Sequence, residues 1–312
     1  MVKIAAIFPG QGSQAVGMGK ELYNQSQTVR NLFEEADDTL GFSIKNLCFD
    51  GPEDELRKTK YTQPAILTVS CAAYYLALES NIQFQMAGGH SLGEYSALVA
   101  ANVFDFSQAL RMVHQRGQLM QEAVPVGIGG MMAVVGLERD KIIALCMKAS
   151  EDGVVEAVNF NCPGQTVVAG GKEALAVFAD LAKEEGAKKI IELPVSAPFH
   201  SSLLKPVADA FTQIIDDVNF RDASFPVTSN VHGKLLSSGA EIKACLKQQL
   251  CSSVKWEDCV SSMEIHGAEY FIELGPGKVL CGFSKRIVKD IPCGNIEDVA
   301  SLAKTLCALE GK

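Results

Sequence analysis

The 312-residue sequence lacks any apolar run near the ~20 residues that a membrane-spanning helix needs. Its first apolar run, Ile4 to Phe8, is shorter than the core of a secretory signal and ends at Pro9. A basic surplus is also missing, since 28 Lys and Arg stand against 37 Asp and Glu, a net charge of −9. Nucleic acid needs a basic face on its partner. We therefore expect a cytoplasmic protein that binds neither membrane nor nucleic acid.

Paired cysteine motifs are absent as well. The ten cysteines form no Cys-x-x-Cys pair, and none stands at zinc-ligand spacing from a histidine. Such cysteines are typical of small buried side chains in a reducing compartment. The composition, 47% hydrophobic and 21% charged, is that of a globular protein. A chain of this length can fold without a disulfide or a metal.

Strand and helix signals alternate along the chain. Residues 3–8 predict a buried strand and residues 28–40 a helix. A long helix is predicted from Tyr61, with Thr62 as its cap and Pro64 in its first turn. Short strands and further helices follow in both halves of the chain. The pattern predicts an α/β protein with a mainly parallel sheet.

A second unit is predicted inside the first. Between residues 126 and 197 the signals follow the order β-α-β-β-α-β, which is ferredoxin-like. We therefore predict a small ferredoxin-like domain at 126–197. Residues 1–125 and 198–312 would form one discontinuous, α/β-hydrolase-like domain.

The opening loop carries glycines at the spacing of a dinucleotide-binding turn, through Gly10, Gly12 and Ala15. That motif also needs an acidic residue about 20 positions on, at the end of a second strand. The acidic residues there, Glu34 to Asp38, lie in a predicted helix instead. The dinucleotide interpretation is therefore disfavoured, although a glycine-rich backbone can still approach a ligand closely.

Residues 89–93, Gly-His-Ser-Leu-Gly, match the nucleophile elbow Gly-x-Ser-x-Gly. A strand is predicted before Ser91 and a helix after it. The elbow would expose the Ser91 hydroxyl at a tight turn, with the Leu92 amide placed to stabilise an oxyanion. Glu94 would lie in the first helical turn, where negative charge is favourable. The alternative is a Gly-Ser turn that only caps a helix.

A nucleophilic serine needs a general base, and the sequence has five histidines. His200 lies in a proline-containing loop at the end of the predicted second unit, a position that favours a cleft. No acidic partner for it is evident, and the chain order differs from that of α/β-hydrolases. The other histidines are interpreted as surface or core residues: His90, His114, His232 and His266.

The helix predicted over residues 107–123 carries two arginines of interest. Arg116 lies at the border of an apolar stripe, whereas Arg111 points away from it. An arginine at the border could grip a carboxylate with two hydrogen bonds or form a structural ion pair. Arg111 is predicted to be solvated.

Six motifs occur together in order along nearly the whole chain: FPGQGSQ, GHSLGEYSAL, QRG, SAPFHSS, QQLCSSVKW and ELGPGKVL. With this set the chain resembles the malonyl-CoA:acyl carrier protein transacylases of bacterial type II fatty acid synthesis. The resemblance implies a ping-pong acyltransferase. It also implies that Ser91 carries the malonyl group and that His200 is its base, oriented by the backbone carbonyl of Gln249.

Further site residues follow from the same resemblance. The backbone amides of Gln11 and Leu92 would form the oxyanion hole. Arg116 would bind the free carboxylate of the substrate, with Gln63 in the polar network beside it. Phe199 and Leu92 resemble the malonyl-selective pattern more than the methylmalonyl one. No metal or redox cofactor is implied, and the chain is expected to be a monomer.

The partner implied is acyl carrier protein, which is acidic like this chain. Docking would then need a local positive patch. The candidates form two basic pairs, Lys188 with Lys189 and Lys285 with Arg286. Three alternatives stay open at this point: a serine hydrolase, a non-catalytic binding module, and a transferase that serves polyketide synthesis.

Overall fold

The structure is a computed structural model that describes residues 2–123, 129–195 and 197–310. The strands in chain order are β1 Ile4–Phe8, β2 Met86–Gly89, β3 Gly129–Val135, β4 Val155–Cys162, β5 Gln165–Gly171, β6 Lys189–Glu192, β7 Val227–Ser229, β8 Lys234–Leu236, β9 Tyr270–Leu274 and β10 Cys293–Ile296. The helices are α1 Lys20–Gln25, α2 Gln27–Leu40, α3 Ile44–Asp50, α4 Glu53–Leu56, α5 Thr59–Glu79, α6 Gly93–Ala100, α7 Phe106–Glu122, α8 Arg139–Ala149, α9 Lys172–Glu184, α10 Lys205–Asp216, α11 Gly239–Gln249, α12 Trp256–Ile265, α13 Val279–Ile287 and α14 Val299–Glu310.

The larger sheet has the strand order β10-β9-β1-β2-β7-β8. Its neighbours pair in parallel except β7 and β8, which are antiparallel. Along β1, Ile4 and Phe8 pack into one core cluster while Ala5 and Ile7 pack into another. Helices cover both faces, as a parallel sheet requires. The prediction of an α/β protein with a mainly parallel sheet is confirmed.

A second, antiparallel sheet has the order β4-β5-β3-β6. Its elements follow one another as β3, α8, β4, β5, α9 and β6. The helices α8 and α9 pack on one face of it around a separate apolar cluster that includes Phe178. On the other face, Met131 and Val167 join the main core. The predicted boundary at residues 125 and 126 lies outside the described residues.

The carboxyl ends of three adjacent parallel strands position the residues of interest. Gln11 follows β1, Ser91 follows β2 and Asn230 follows β7. Parallel strands end at the same edge of a sheet, and ligands bind in the crevice there. The fold therefore brings together residues that are far apart in the sequence.

The start of α5 differs from the prediction. The helix begins at Thr59, so Thr62 is not its cap and Pro64 lies inside it rather than in its first turn. Pro64 has no N–H to donate to the carbonyl four residues before it, which belongs to Lys60. His114 on α7 donates to that carbonyl through Nδ1 at 2.9 Å. A tertiary hydrogen bond thus compensates for the internal proline.

The expectation that all cysteines are isolated apolar side chains is wrong for one pair. Cys281 and Cys293 form a disulfide, because β10 lies beside the start of α13 and brings their Cα atoms within 5.5 Å. Among the free cysteines, Cys251 is partly buried, Cys307 is exposed and the others are buried. In the described part of the chain, no helix is both long and apolar enough to cross a membrane.

Candidate active site

Ser91 stands at a tight turn between β2 and α6. Its φ is 51°, in the left-handed region that serine seldom adopts. Two glycines make the turn possible. A Cβ on Gly89 would lie 1.9 Å from the carbonyl carbon of Gly93, and one on Gly93 would lie 2.0 Å from the carbonyl oxygen of Phe8. The start of α6 therefore lies at backbone contact distance from both β2 and the end of β1, and the turn has the geometry of a nucleophile elbow.

Asn230 clamps the strained turn from the neighbouring strand. Its Oδ1 accepts a hydrogen bond from the Ser91 amide at 2.7 Å, and its Nδ2 donates to the Gly89 carbonyl at 2.7 Å. The backbone is thus held on both sides of the Ser91 hydroxyl. Sequence analysis missed Asn230, and its place directly after a buried strand was the only signal for it.

His200 lies beside the Ser91 hydroxyl. The distance from its Nε2 to Ser91 Oγ is 2.7 Å, and its Nδ1 lies 2.9 Å from the main-chain carbonyl of Gln249. A carbonyl only accepts, so Nδ1 carries the ring proton and Nε2 is free to accept the Ser91 proton. The pair is a Ser-His dyad in which a backbone carbonyl orients the imidazole.

Arg116 places a guanidinium against the same hydroxyl. It donates to Gln63 Oε1 at 2.9 Å, to Gln249 Oε1 at 3.0 Å and to Ser91 Oγ at 3.2 Å. All three acceptors are uncharged oxygens, so none of these hydrogen bonds is an ion pair. The sequence predicted a border position, but Arg116 is only 1% exposed, on the buried face of α7. The polar Gln63 on α5 makes that burial possible, whereas Arg111 is exposed as predicted.

The opening loop packs directly on the elbow. A Cβ on Gly10 would lie 2.5 Å from the carbonyl oxygen of His90, so only glycine fits there. The next residue, Gln11, lines a cavity together with Ser91. Leu92 lies at the start of α6, where backbone amides have no acceptor within the helix. No acceptor among the described residues engages the amide of Gln11 or of Leu92.

The cavity at Ser91 is small, about 90 Å³, and it also contains His200 and Arg116. Met131 and Phe199 supply apolar wall. A cavity of this size suits a short group attached to the serine. A larger cavity of about 650 Å³, lined mainly by α8, β4 and residues 251–255, also reaches His200.

Comparison with known proteins agrees with this geometry. Residues 6–305 match the protein family described as "Acyl transferase domain". The malonyl CoA-acyl carrier protein transacylase of Bacillus subtilis is 44% identical over 310 residues, 98% of this chain and 98% of that protein. The chain belongs to the malonyl-CoA:acyl carrier protein transacylase family.

Solved structures of this family superpose closely. An acyl carrier protein S-malonyltransferase from Vibrio cholerae has a TM-score of 0.95 at 46% identity, with 97% of this chain and 99% of that chain covered. A malonyl transacylase solved in complex with a type II polyketide acyl carrier protein has a TM-score of 0.95 at 42% identity, with 99% and 100% covered.

Burial sets the protonation of the dyad in this transacylase-family site. Burial, together with the smaller effect of the neighbouring positive charge of Arg116, lowers the pKa of His200 to about 3. The imidazole is therefore neutral at physiological pH and ready to accept a proton. The histidine next to Ser91 in the sequence, His90, makes no hydrogen bond with the Ser91 hydroxyl. Its Nε2 lies 2.9 Å from Asn161 Oδ1.

Glu94 is more than a charge at a helix terminus. It is 2% exposed, and its Oε2 accepts from Gln249 Nε2 at 2.7 Å and from the Asn230 amide at 3.2 Å. Burial raises its pKa to about 7, against the opposing effect of these hydrogen bonds and of Arg116. The sequence predicted its place on α6 but not its contacts, because Gln249 and Asn230 are distant in the chain.

Across residues 2–123, 129–195 and 197–310, no three His, Cys, Asp or Glu side chains are grouped so that they could share an ion. Two side chains contact Ser91 Oγ, the imidazole of His200 and the guanidinium of Arg116. The amides of Gln63 and Gln249 hold that guanidinium.

Proposed function

We propose that the protein transfers the malonyl group from malonyl-CoA to the phosphopantetheine thiol of acyl carrier protein, through a malonyl-Ser91 intermediate. This transfer would supply fatty acid elongation. The observation that carries this proposal is one hydroxyl shared by two groups. Ser91 Oγ lies 2.7 Å from His200 Nε2 and 3.2 Å from the Arg116 guanidinium. A base for the nucleophile and a cation for a carboxylate thus meet in one small cavity.

The first half-reaction acylates Ser91. Its Oγ attacks the thioester carbonyl while His200 Nε2 takes the hydroxyl proton. The oxyanion lies on the backbone amides of Gln11 and Leu92, and one such donor contributes about 10²- to 10³-fold in rate. The C–S bond then breaks, and the His200 imidazolium returns the proton to the CoA thiolate.

The second half-reaction follows the same path in reverse. The phosphopantetheine thiol gives its proton to His200, and its sulfur attacks the Ser91 ester carbonyl. The C–O bond breaks, Ser91 recovers a proton from His200, and malonyl leaves as a thioester of the carrier. Both halves only exchange an acyl group and a proton, so the proposed cycle needs no metal or redox cofactor.

Acyl choice rests on Arg116 in this proposal. The buried guanidinium is held in place by Gln63 and Gln249 before substrate arrives. A planar guanidinium can bind the free carboxylate of malonyl through two parallel hydrogen bonds. Acetyl lacks that carboxylate, so it offers the buried guanidinium no opposite charge, and its binding is disfavoured relative to malonyl.

The carrier is proposed to dock on a basic surface. Lys188, Lys189, Lys285 and Arg286 are all exposed. Arg286 also bonds Gln165 Oε1 at 2.9 Å and the Pro163 carbonyl, so it ties α13 to the turn between β4 and β5. The structural relative with a bound carrier supports the class of partner.

We also propose the domain division predicted from the sequence, a ferredoxin-like insertion at 126–197 in a hydrolase-like domain of residues 1–125 and 198–312. The order of the second sheet and its separate apolar cluster support this division. The groups named in the proposed cycle come from one chain, which supports a monomer as the active unit.

Replacement of Arg116 by alanine tests the recognition step. We expect Arg116→Ala to lower kcat/KM for malonyl transfer at least about 10-fold more than for acetyl transfer, because two charged hydrogen bonds to the carboxylate are lost. The matched control is Arg111→Ala, an exposed arginine on the same helix. Steady-state transfer to holo-acyl carrier protein gives both values. Equal losses for the two acyl groups would remove Arg116 from this role.

A further inference from the structure

Gln249 connects the dyad to the carboxylate-binding cation. Its main-chain carbonyl accepts from His200 Nδ1, and its side-chain Oε1 accepts from Arg116. Its Nε2 donates to the Ser91 carbonyl at 2.9 Å and to Glu94 Oε2 at 2.7 Å. One residue thus touches the nucleophile, the base and the guanidinium.

The side-chain amide of Gln249 works only in one orientation. Arg116 donates to it, so an oxygen must face the guanidinium. If the amide were turned by 180°, its NH₂ group would face the Arg116 guanidinium. Both groups are donors, so no hydrogen bond could form between them. Something on the other side of the amide has to accept hydrogen bonds and never donate them.

Two acceptors lie there, the main-chain oxygen of Ser91 and the side-chain Oε2 of Glu94, and Glu94 makes the shorter hydrogen bond. Glu94 Oε2 receives both Gln249 Nε2 and the Asn230 amide, so this oxygen serves as an acceptor on both sides. The Asn230 bond comes from the residue that clamps the elbow, so Glu94 is itself held in place. Glu94 is 2% exposed and Gln249 is 1% exposed, so the amide depends on protein groups for its hydrogen bonds.

We propose that Glu94 is a positioning residue for acyl selectivity, whose carboxylate oxygen fixes the Gln249 amide and through it the Arg116 guanidinium. This inference rests on the proposed function, since it assumes that Arg116 binds the substrate carboxylate. Glu94 touches neither the acyl group nor the reacting atoms. Its loss acts on malonyl more than on acetyl because only malonyl uses the guanidinium.

A pair of uncharged variants isolates the acceptor oxygen. Glu94→Gln keeps an oxygen that can receive Gln249 Nε2 and the Asn230 amide, whereas Glu94→Met has similar length and no acceptor. We expect Glu94→Met to lower malonyl kcat/KM by up to about 10²-fold, mainly through KM, because the guanidinium is displaced from its binding position. Acetyl transfer should fall less than about 5-fold. Glu94→Gln should restore malonyl transfer to within about 3-fold of the original protein.

A third variant guards against poor folding of Glu94→Met. Glu94→Asp keeps the charge but withdraws the oxygens by one methylene group, and it should lose malonyl transfer as Glu94→Met does. Equal losses of malonyl and acetyl transfer in Glu94→Met would show a merely structural role and overturn the inference. Full activity in Glu94→Asp together with loss in Glu94→Gln would show that charge, not placement, matters, and would overturn it too.

Arg116→Ala measured in parallel separates the two claims. If Arg116→Ala abolishes the preference for malonyl and Glu94→Met does not, this inference fails while the proposed function stands. If neither variant changes the preference, Arg116 does not bind the carboxylate and both fail.

Discussion

At the scale of single residues, the site depends on two side chains held in unusual backbone conformations. Ser91 has φ 51° and His200 has φ 64°, both in the left-handed region. Such conformations cost free energy and persist where surrounding contacts hold them. Asn230 and Gln249 provide those contacts. The dyad is therefore preorganised before any substrate binds.

Burial of a neutral His200 makes stability depend on pH. Its folded pKa, about 3, lies below the ordinary value of 6.5, so between these values the unfolded chain binds a proton that the folded chain does not. Stability contributed by neutral His200 is present above pH 6.5 and is lost as pH falls towards 3. From pH 7 to pH 5 the loss is about 2 kcal/mol.

His200→Asn tests this linkage, since asparagine tolerates left-handed backbone. Between pH 7 and pH 5, the unfolding free energy of the original protein should fall by about 2 kcal/mol more than that of the variant. Urea unfolding at both pH values measures the difference. The raised pKa of Glu94 acts with the opposite sign but is present in both proteins. Identical pH dependence in the two proteins would contradict a buried neutral imidazole.

The residues that local patterns named are the ones with a local signal, whereas Gln11, Gln63 and Gln249 were named only through the family resemblance. Ser91 is marked by its flanking glycines, and His200 by its place in a rigid loop. Arg116 was placed at the edge of a stripe and proved to be buried, because the polar side chain that accompanies it lies on another helix. Glu94 and Asn230 act through contacts across more than a hundred residues, which no single-sequence pattern reveals.

At the scale of secondary-structure elements, close backbone approach decides where the Ser91 hydroxyl lies. β2 and α6 pass so closely that Gly89 admits no Cβ, and α6 begins so close to the end of β1 that Gly93 admits none. The elbow motif and the apolar residues on either side of it predicted both elements, whereas periodicity carries little signal there because both are fully buried. The start of α5 was predicted less well, since an internal proline normally breaks a helix. There the tertiary partner, His114, cannot be read from the local sequence.

A pair of glycine substitutions tests the close approach. Gly93→Ala would place a methyl group 2.0 Å from the Phe8 carbonyl oxygen, and we expect a loss of at least about 3 kcal/mol of unfolding free energy. Gly282→Ala on α13 is the control, because nothing lies within 4 Å of its added Cβ. It should stabilise the helix by about 0.5–1 kcal/mol. Thermal and urea unfolding compare the two, and equal stability would show that the elbow has room to spare.

At the scale of the whole molecule, the site is assembled from both ends of the chain. Gln11 comes from the first strand loop, and Gln249 from the end of α11. The parallel sheet was predictable, because alternating strand and helix signals leave few arrangements that bury both faces. The antiparallel partner strand β8 was not, because three residues carry too little pattern.

Intact-protein mass spectrometry tests the central claim most directly. After incubation with malonyl-CoA alone, the protein should gain the mass of one malonyl group, located on the peptide that contains Ser91. The adduct should persist until holo-acyl carrier protein removes it, and Ser91→Ala should gain no mass. The same adduct on Ser91→Ala, or its rapid loss to water without a carrier, would contradict an acyl-transfer enzyme built on Ser91.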